Sequence, residues 1–204
     1  MKLETQVKKQ LERSNKTILD LRSLKIETIE NENDYGGINL LRKVIKTTKP
    51  TPGNAILEKV SIEQKCTLTK DVLSNVKCLL LSYNNIERID FHFLQQLNSL
   101  EVLDLSHNNL SEIQNQENTS STLLELYLNK NNFKQIEAYE GLKHFRKLQV
   151  LRIDYEIFKD PNDFDKLDSI IGEEYVVNVK IFIIKKFIQC FFMIWKRDRD
   201  RRVH

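Results

Sequence analysis

Between Val76 and Phe158 the apolar positions recur in one eleven-place phrase, Leu-x-x-Leu-x-Leu-x-x-Asn-x-Leu, with mostly polar residues between them. The first copy places Val76, Leu79, Leu81, Asn84 and Ile86; the second places Leu100, Leu103, Leu105, Asn108 and Leu110; the third places Leu123, Leu126, Leu128, Asn131 and Phe133. A fourth keeps Leu148, Leu151, Ile153 and Phe158 but has Glu156 at the asparagine place. Side chains along a strand alternate between its faces, so the fourth and sixth places predict a short strand whose leucines share a core face. The fifth place then points the other way. The asparagine falls where the chain leaves the strand, and its amide suits backbone groups of the bend that no strand partner reaches. Asn84, Asn108 and Asn131 are therefore expected to stack as a structural ladder.

The pattern also predicts what lies around those strands. Ile89, Ile113 and Ile136 each add an apolar residue three places beyond the phrase, carrying the core onward. Phe91, Leu94 and Leu97, and later Tyr139, Leu142 and Phe145, are spaced by three, which predicts short helices or 3-10 turns. Residues 114–122 hold no apolar side chain and read as an extended polar connection. Nearer the N-terminus, Leu19, Leu21 and Ile26 fill the fourth, sixth and eleventh places of a fainter copy, Ile29 supplies the extra step, and Leu24 replaces the asparagine. Leu57, Val60 and Ile62 suggest a further strand. Between them, turn signals at Gly36-Gly37 and at Pro50 to Gly53 flank residues 38–45, read as a helix. Leu3, Val7 and Leu11 recur every four residues, so residues 2–14 are expected to form an amphipathic capping helix.

Phrase starts at Val76, Leu100, Leu123 and Leu148 lie 24, 23 and 25 residues apart, within the span of about 20–29 found in leucine-rich repeats. On these residues the chain resembles the cytosolic leucine-rich repeat proteins with short repeats, and is similar to their phosphatase-regulatory and axonemal dynein light-chain members. The resemblance is strong over about 76–160 and weak over 16–75. It implies an α/β fold: a solenoid with a concave parallel β-sheet and convex short helices or loops. It also implies a non-catalytic adaptor or regulatory module that holds a protein or peptide on the concave face. The expected organisation is a capping helix over 1–15, degenerate repeats with an insertion over 16–75, regular repeats over 76–160, and a C-terminal cap with a basic, hydrophobic tail over 161–204.

The 204 residues are 40% hydrophobic, enough for one continuous core. Cys66, Cys78 and Cys190 have neither even pairing nor Cys-x-x-Cys spacing, and the charged N-terminus lacks the apolar stretch of a secretory signal. A cytoplasmic address and a monomer are expected. A net charge of +3 gives no overall basic field, so no nucleic-acid partner is expected. The charge is uneven, however, with eight Lys or Arg against two Asp from Val176 onward. Residues 176–195 could span a bilayer by length. Lys180, Lys185 and Lys186 would cost about 8–10 kcal/mol there, against about 4–7 returned by the Val, Ile and Phe residues. A capping helix with a solvated charged end is the favoured reading. Docking of Phe187, Phe191, Phe192 and Trp195 on an anionic membrane surface is the alternative, with the repeats carrying cargo. Val176, Val179 and Ile181 could add one more repeat strand, and the Ile/Phe/Lys-rich text could equally be foreign to the domain, as from a mis-joined reading frame.

No catalytic pair, nucleotide-binding glycine loop or metal-ligand spacing is found, so no enzymatic activity, cofactor or metal is expected. Candidate recognition residues are those at variable places of the strand phrase. They are Leu80, Glu101, Asp104, Glu125, Tyr127 and Arg152, together with Tyr83, His107, Lys130 and Tyr155 at the eighth place. Aromatic groups flanked by both charge signs have the composition of interface hot spots.

Overall fold

The computed structural model describes residues 2–13, 17–31, 37–47, 59–113, 122–172, 180–184 and 191–192. Its main sheet follows the repeats. Strands β1 (Ile18–Asp20), β5 (Cys78–Leu80), β7 (Val102–Asp104), β8 (Glu125–Tyr127), β9 (Val150–Asp154) and β10 (Lys180–Ile184) lie side by side in that order and are parallel. β11 (Phe191–Phe192) ends the sheet antiparallel to β10. The register sets Leu19, Leu79, Leu103, Leu126 and Leu151 in one buried row, with Leu21, Leu81, Leu105, Leu128 and Ile153 in the next. Each buried leucine contributes about 1.5–3 kcal/mol, so these rows drive collapse. They do not by themselves fix the bend that follows.

The asparagines do that. Asn84 donates its amide N–H groups to the Leu21 and Leu81 carbonyls (2.9 and 2.8 Å), while its Oδ1 accepts from the Leu24 and Ile26 N–H groups (2.8 and 3.1 Å). Asn108 repeats the pattern one phrase on, donating to the Leu81 and Leu105 carbonyls and accepting from Ile86. Asn131 donates to Leu105 and Leu128 and accepts from Leu110. Each side chain thus ties its own sixth place to the sixth and eleventh places of the phrase before it. On the far side, the 3-10 helices Phe91–Gln96 and Ile136–His144 carry the apolar triplets inward, with Phe91, Leu94, Tyr139 and Leu142 buried.

Residues 38–45 form no helix. They belong to β3 (Gly37–Thr47), which pairs along its whole length with β4 (Lys59–Thr69) as an antiparallel hairpin. β2 (Thr28–Asn31) pairs with β3 and, in parallel, with β6 (Arg88–Ile89), giving a second sheet in the order β4-β3-β2-β6. Ile38, Leu40 and Arg42 are buried at a spacing of two, which is the period of a strand. Val60 and Ile62 do lie in a strand, but in this hairpin and not in the repeat sheet; Leu57 lies outside the described residues. β1 therefore docks directly on β5, and the row of leucines steps from Leu19 to Leu79. The inserted sheet joins the repeats where Ile29 pairs with Ile89, the places three beyond the phrase.

Helix α1 (Leu3–Arg13) buries Leu3 and Val7. The buried Arg42 guanidinium joins it to β4 and to the turn that follows β1: it donates to Gln6 Oε1 at 2.5 Å, to Gln64 Oε1 at 2.8 Å and to the Leu24 carbonyl at 2.8 Å. The short helix α2 (Lys70–Leu73) leads from β4 into the first phrase and buries Leu73. After β9 the chain enters helix α3 (Asn162–Ile171), where the Asp163 carboxylate accepts from the Lys159 and Asp160 N–H groups.

The end of the chain departs from expectation twice. The described residues of 176–204 are strand, β10 over Lys180–Ile184 and β11 over Phe191–Phe192, which agrees with one more repeat strand and departs from the favoured capping helix there; the rest of the segment lies outside the described residues. The repeat register is also shifted, because Ile181, and not Val179, lies beside Leu151. The fourth place of that phrase is thus two residues later than its spacing suggested, and α3 in the preceding connection takes up the added length. Among the described residues no helix is long and apolar enough to cross a membrane. The membrane-docking residues Phe187 and Trp195, and the polar connection at 114–121, lie outside the described residues.

Replacing Asn108 by Ala leaves the buried Ile86 N–H without its acceptor, worth about 1–3 kcal/mol, and takes one of two amide donors from each of the Leu81 and Leu105 carbonyls, which keep Asn84 and Asn131. Urea unfolding is expected to show a loss of about 3 kcal/mol, against less than about 0.5 for Asn109→Ala, whose side chain is exposed.

Candidate functional site: the solvent face of the repeat sheet

The parallel register aligns the fifth places. Asp20, Leu80, Asp104, Tyr127 and Arg152 stand in one row across β1, β5, β7, β8 and β9. The third places form a second row, Ile18, Cys78, Val102, Glu125 and Val150. None of these ten is buried, whereas the alternating leucines are. Five of the ten are apolar, four are charged and one is the phenol of Tyr127, and all the apolar ones but Val150 lie on β1, β5 and β7.

Local contacts hold the polar groups in place. The Arg152 guanidinium carbon lies 4.7 Å from the Tyr127 ring centre, a cation–π contact. The Tyr127 hydroxyl donates to the Glu125 carboxylate. Burial, followed by that hydrogen bond to Glu125, pushes the Tyr127 phenol up to about 12. Asp104 accepts from the Ser106 hydroxyl and backbone N–H (2.6 and 3.0 Å). Lys77 and Glu101 pair at 2.7 Å, and Arg22 and Asp20 at 2.6 Å. Burial, and then the negative charges of Asp104 and Glu125, raise the Cys78 thiol. A thiol held protonated in this way is a poor nucleophile.

The eighth places lie on the rim, where the strand turns. Ser23, Tyr83, His107 and Lys130 all take positive φ (59, 59, 54 and 61°). Holding a residue other than glycine there costs about 1–2 kcal/mol, a cost that at Tyr83, His107 and Lys130 the inward turn of the next asparagine offsets. The Tyr83 and His107 rings stack with centres 4.1 Å apart and planes 16° from parallel, and Tyr83 remains 58% exposed. Tyr155 does not continue this rim. It begins the 3-10 helix Tyr155–Ile157 and packs near Phe158.

That change has a cause in Asp154. In the earlier phrases the eighth N–H donates to the next seventh-place carbonyl: Ser23 to Ser82, Tyr83 to Ser106, His107 to Asn129. At the last step the Asp154 side chain takes over, its Oδ2 accepting from Lys130 N–H at 2.6 Å and Asn131 N–H at 3.4 Å. Among the described residues its Oδ1 is buried without a hydrogen-bond partner, as is the Tyr139 hydroxyl. Desolvation pushes the Asp154 carboxyl up, partly offset by the two N–H groups. Burial, and then the charge of Asp154, raises the Tyr139 phenol.

Sequence reasoning overlooked the Asp20 and Arg22 pair and the closing role of Asp154. Asp20 was legible as the fifth place of the faint N-terminal phrase; the spacing placed Asp154 at the seventh place of the fourth, but not its bonds to the Lys130 and Asn131 N–H groups. Among the described residues no group of three or more His, Cys, Asp or Glu side chains is placed to hold a metal ion.

With this geometry in view, residues 74–120, which contain the first two intact phrases, match the family model described as Leucine rich repeat. This part of the chain carries leucine-rich repeats on an α/β architecture with a parallel sheet. The family is typically a non-catalytic fold that mediates protein–protein interaction. No curated protein matches the chain.

A carboxyl raised by folding contributes stability below its unfolded value and loses it as pH rises through the folded value, so ionised Asp154 is a net cost near neutrality. Asp154→Asn keeps an acceptor for Lys130 and removes the charge. Unfolding near pH 7 is expected to show the variant more stable than wild type, the gap closing as pH falls below the ordinary carboxyl range, where Asp154 is neutral in both states. Lower stability of the variant at neutral pH would contradict this reading.

Proposed function

We propose that the chain is a non-catalytic adaptor or regulatory module, built as a leucine-rich repeat solenoid, that binds a protein or peptide on a concave sheet face. The observation that carries this reading is the fifth-place row, in which Leu80, Asp104, Tyr127 and Arg152 stand side by side on adjacent strands. Tyr127 and Arg152 are already stacked, so part of the ordering entropy of a binding site is met before a partner arrives. Glu101, Glu125, Tyr83, His107 and Lys130 supply a polar surround, with Tyr155 at the far end. In this reading α1 caps the N-terminal end, residues 161–204 close the other, and the module works in the cytoplasm alongside phosphatase-regulatory or axonemal relatives. The free thiols of Cys66 and Cys78 suit such a reducing compartment.

The test is affinity capture from the source cell with mass spectrometry, followed by measured affinity for the protein recovered. Tyr127→Ala, Arg152→Ala and Tyr155→Ala combined are expected to weaken binding more than about tenfold with an unchanged circular dichroism spectrum. Lys134→Ala with Lys143→Ala, both exposed and outside the sheet face, should leave it intact. Full binding by the triple variant would refute the reading.

A further inference from the structure

We infer that β4 is a contact surface for a second copy of this chain, the two copies pairing antiparallel about a two-fold axis midway between Gln64 and its own copy. Among the described residues β4 has one strand neighbour, β3, and ends the second sheet. Its eleven residues are about twice the usual strand length. They contain no proline or glycine, and pairing with β3 runs unbroken from Thr69 to Lys59, so no bulge turns the edge away. Helix α1 meets β4 on its core-side face, where the Leu3 N–H donates to Gln64 Oε1 and Arg42 donates to the same atom. An edge of this length presents backbone donors and acceptors that template another strand unless its side chains forbid it.

Here the side chains and the length of the strand favour one register with a second copy. An antiparallel pair about a two-fold axis normal to the sheet sets residues of the same face opposite each other, so the axis must pass midway between one residue and its own copy. Centred on Glu63, it would oppose two glutamates; centred on Lys65, two lysines. Like charges directly opposite are destabilising. Centred on Gln64, it sets Glu63 against Lys65 of the second copy and Lys65 against its Glu63, with Ser61 against Thr67. Ser61, Glu63, Lys65 and Thr67 are all exposed on that face. On the other face Ile62, a large apolar side chain left 36% exposed, comes opposite Cys66 of the second copy. Centred on Ser61 it would set Lys59 against Glu63 but pair only residues 59–63, whereas the Gln64 register pairs all eleven residues, with two opposite-charge pairs and a newly covered isoleucine. The assembly departs from the monomer expected of the sequence, and it is independent of the binding role proposed for the repeat sheet.

Sedimentation velocity on the full chain over a concentration series tests it. Wild type is expected to pass from monomer to dimer. Glu63→Lys and Lys65→Glu should each weaken the dimer about tenfold or more, since each turns both pairs repulsive. The double variant Glu63→Lys with Lys65→Glu should recover it to within about threefold of wild type. Circular dichroism establishes that each variant is folded, and Glu63→Gln replaces any that is not, with a smaller expected weakening. Wild type that stays monomeric, single variants that dimerise unchanged, or a double variant no better than the singles would each overturn the inference.

Discussion

The amide of each ladder asparagine is the constraint on which the remaining structure depends. Buried leucines supply most of the driving force, but apolar burial is non-directional and would tolerate several bends after each strand. An amide with two donors and an acceptor, enclosed beside carbonyls and N–H groups that water cannot reach, tolerates one. Asn84, Asn108 and Asn131 each bind the sixth-place carbonyl of two successive phrases. The spacing between strands, their parallel register and the direction of every fifth-place side chain follow from that bridging. The positive φ at Tyr83, His107 and Lys130 is the local cost of aiming the next side chain inward.

The ladder also accounts for how the chain accepts a large insertion. Asn84 satisfies Leu24 and Ile26, residues about sixty positions earlier in sequence, as though they belonged to the adjacent phrase. The hairpin of β3 and β4 leaves the repeat path after Ile29 and returns before Val76, and Arg42 fastens it to the Leu24 carbonyl and to α1. At the opposite end Asp154 replaces a backbone carbonyl with a carboxylate, and the rim of positive φ stops there. Glu156 at the asparagine place is exposed, so the inward amide has no successor.

The repeat strands were legible because leucine and asparagine places carry two different physical signals at a fixed interval. The 3-10 segments were legible for the same reason, through apolar triplets at Phe91 and Tyr139. Residues 38–45 misled because Ile38, Leu40, Leu41, Val44 and Ile45 satisfy a helical and a strand spacing at once, and pairing with a segment about twenty residues away decides between them. Val60 and Ile62 announced a strand but not which sheet would take it. Ile181 was misplaced by two residues because a run of Val, Ile and Phe offers several registers of equal apolar content. On the sheet face, the residues opposite the leucines could be named in advance, while the stacking of Arg152 on Tyr127 and the pairing of Asp20 with Arg22 depend on neighbouring strands and on a phrase too faint to extend.

Amide hydrogen exchange at Leu24 and Ile26 is the most direct measurement of whether the ladder sews β1 to β5 across the insertion. If it does, these two N–H groups are protected to within about tenfold of those of Ile86 and Leu110, and Asn84→Ala returns them to fast exchange while the later phrases stay protected. Fast exchange at Leu24 and Ile26 in the unaltered chain, with Ile86 and Leu110 protected, would contradict a continuous ladder and leave the first strand outside the repeat unit.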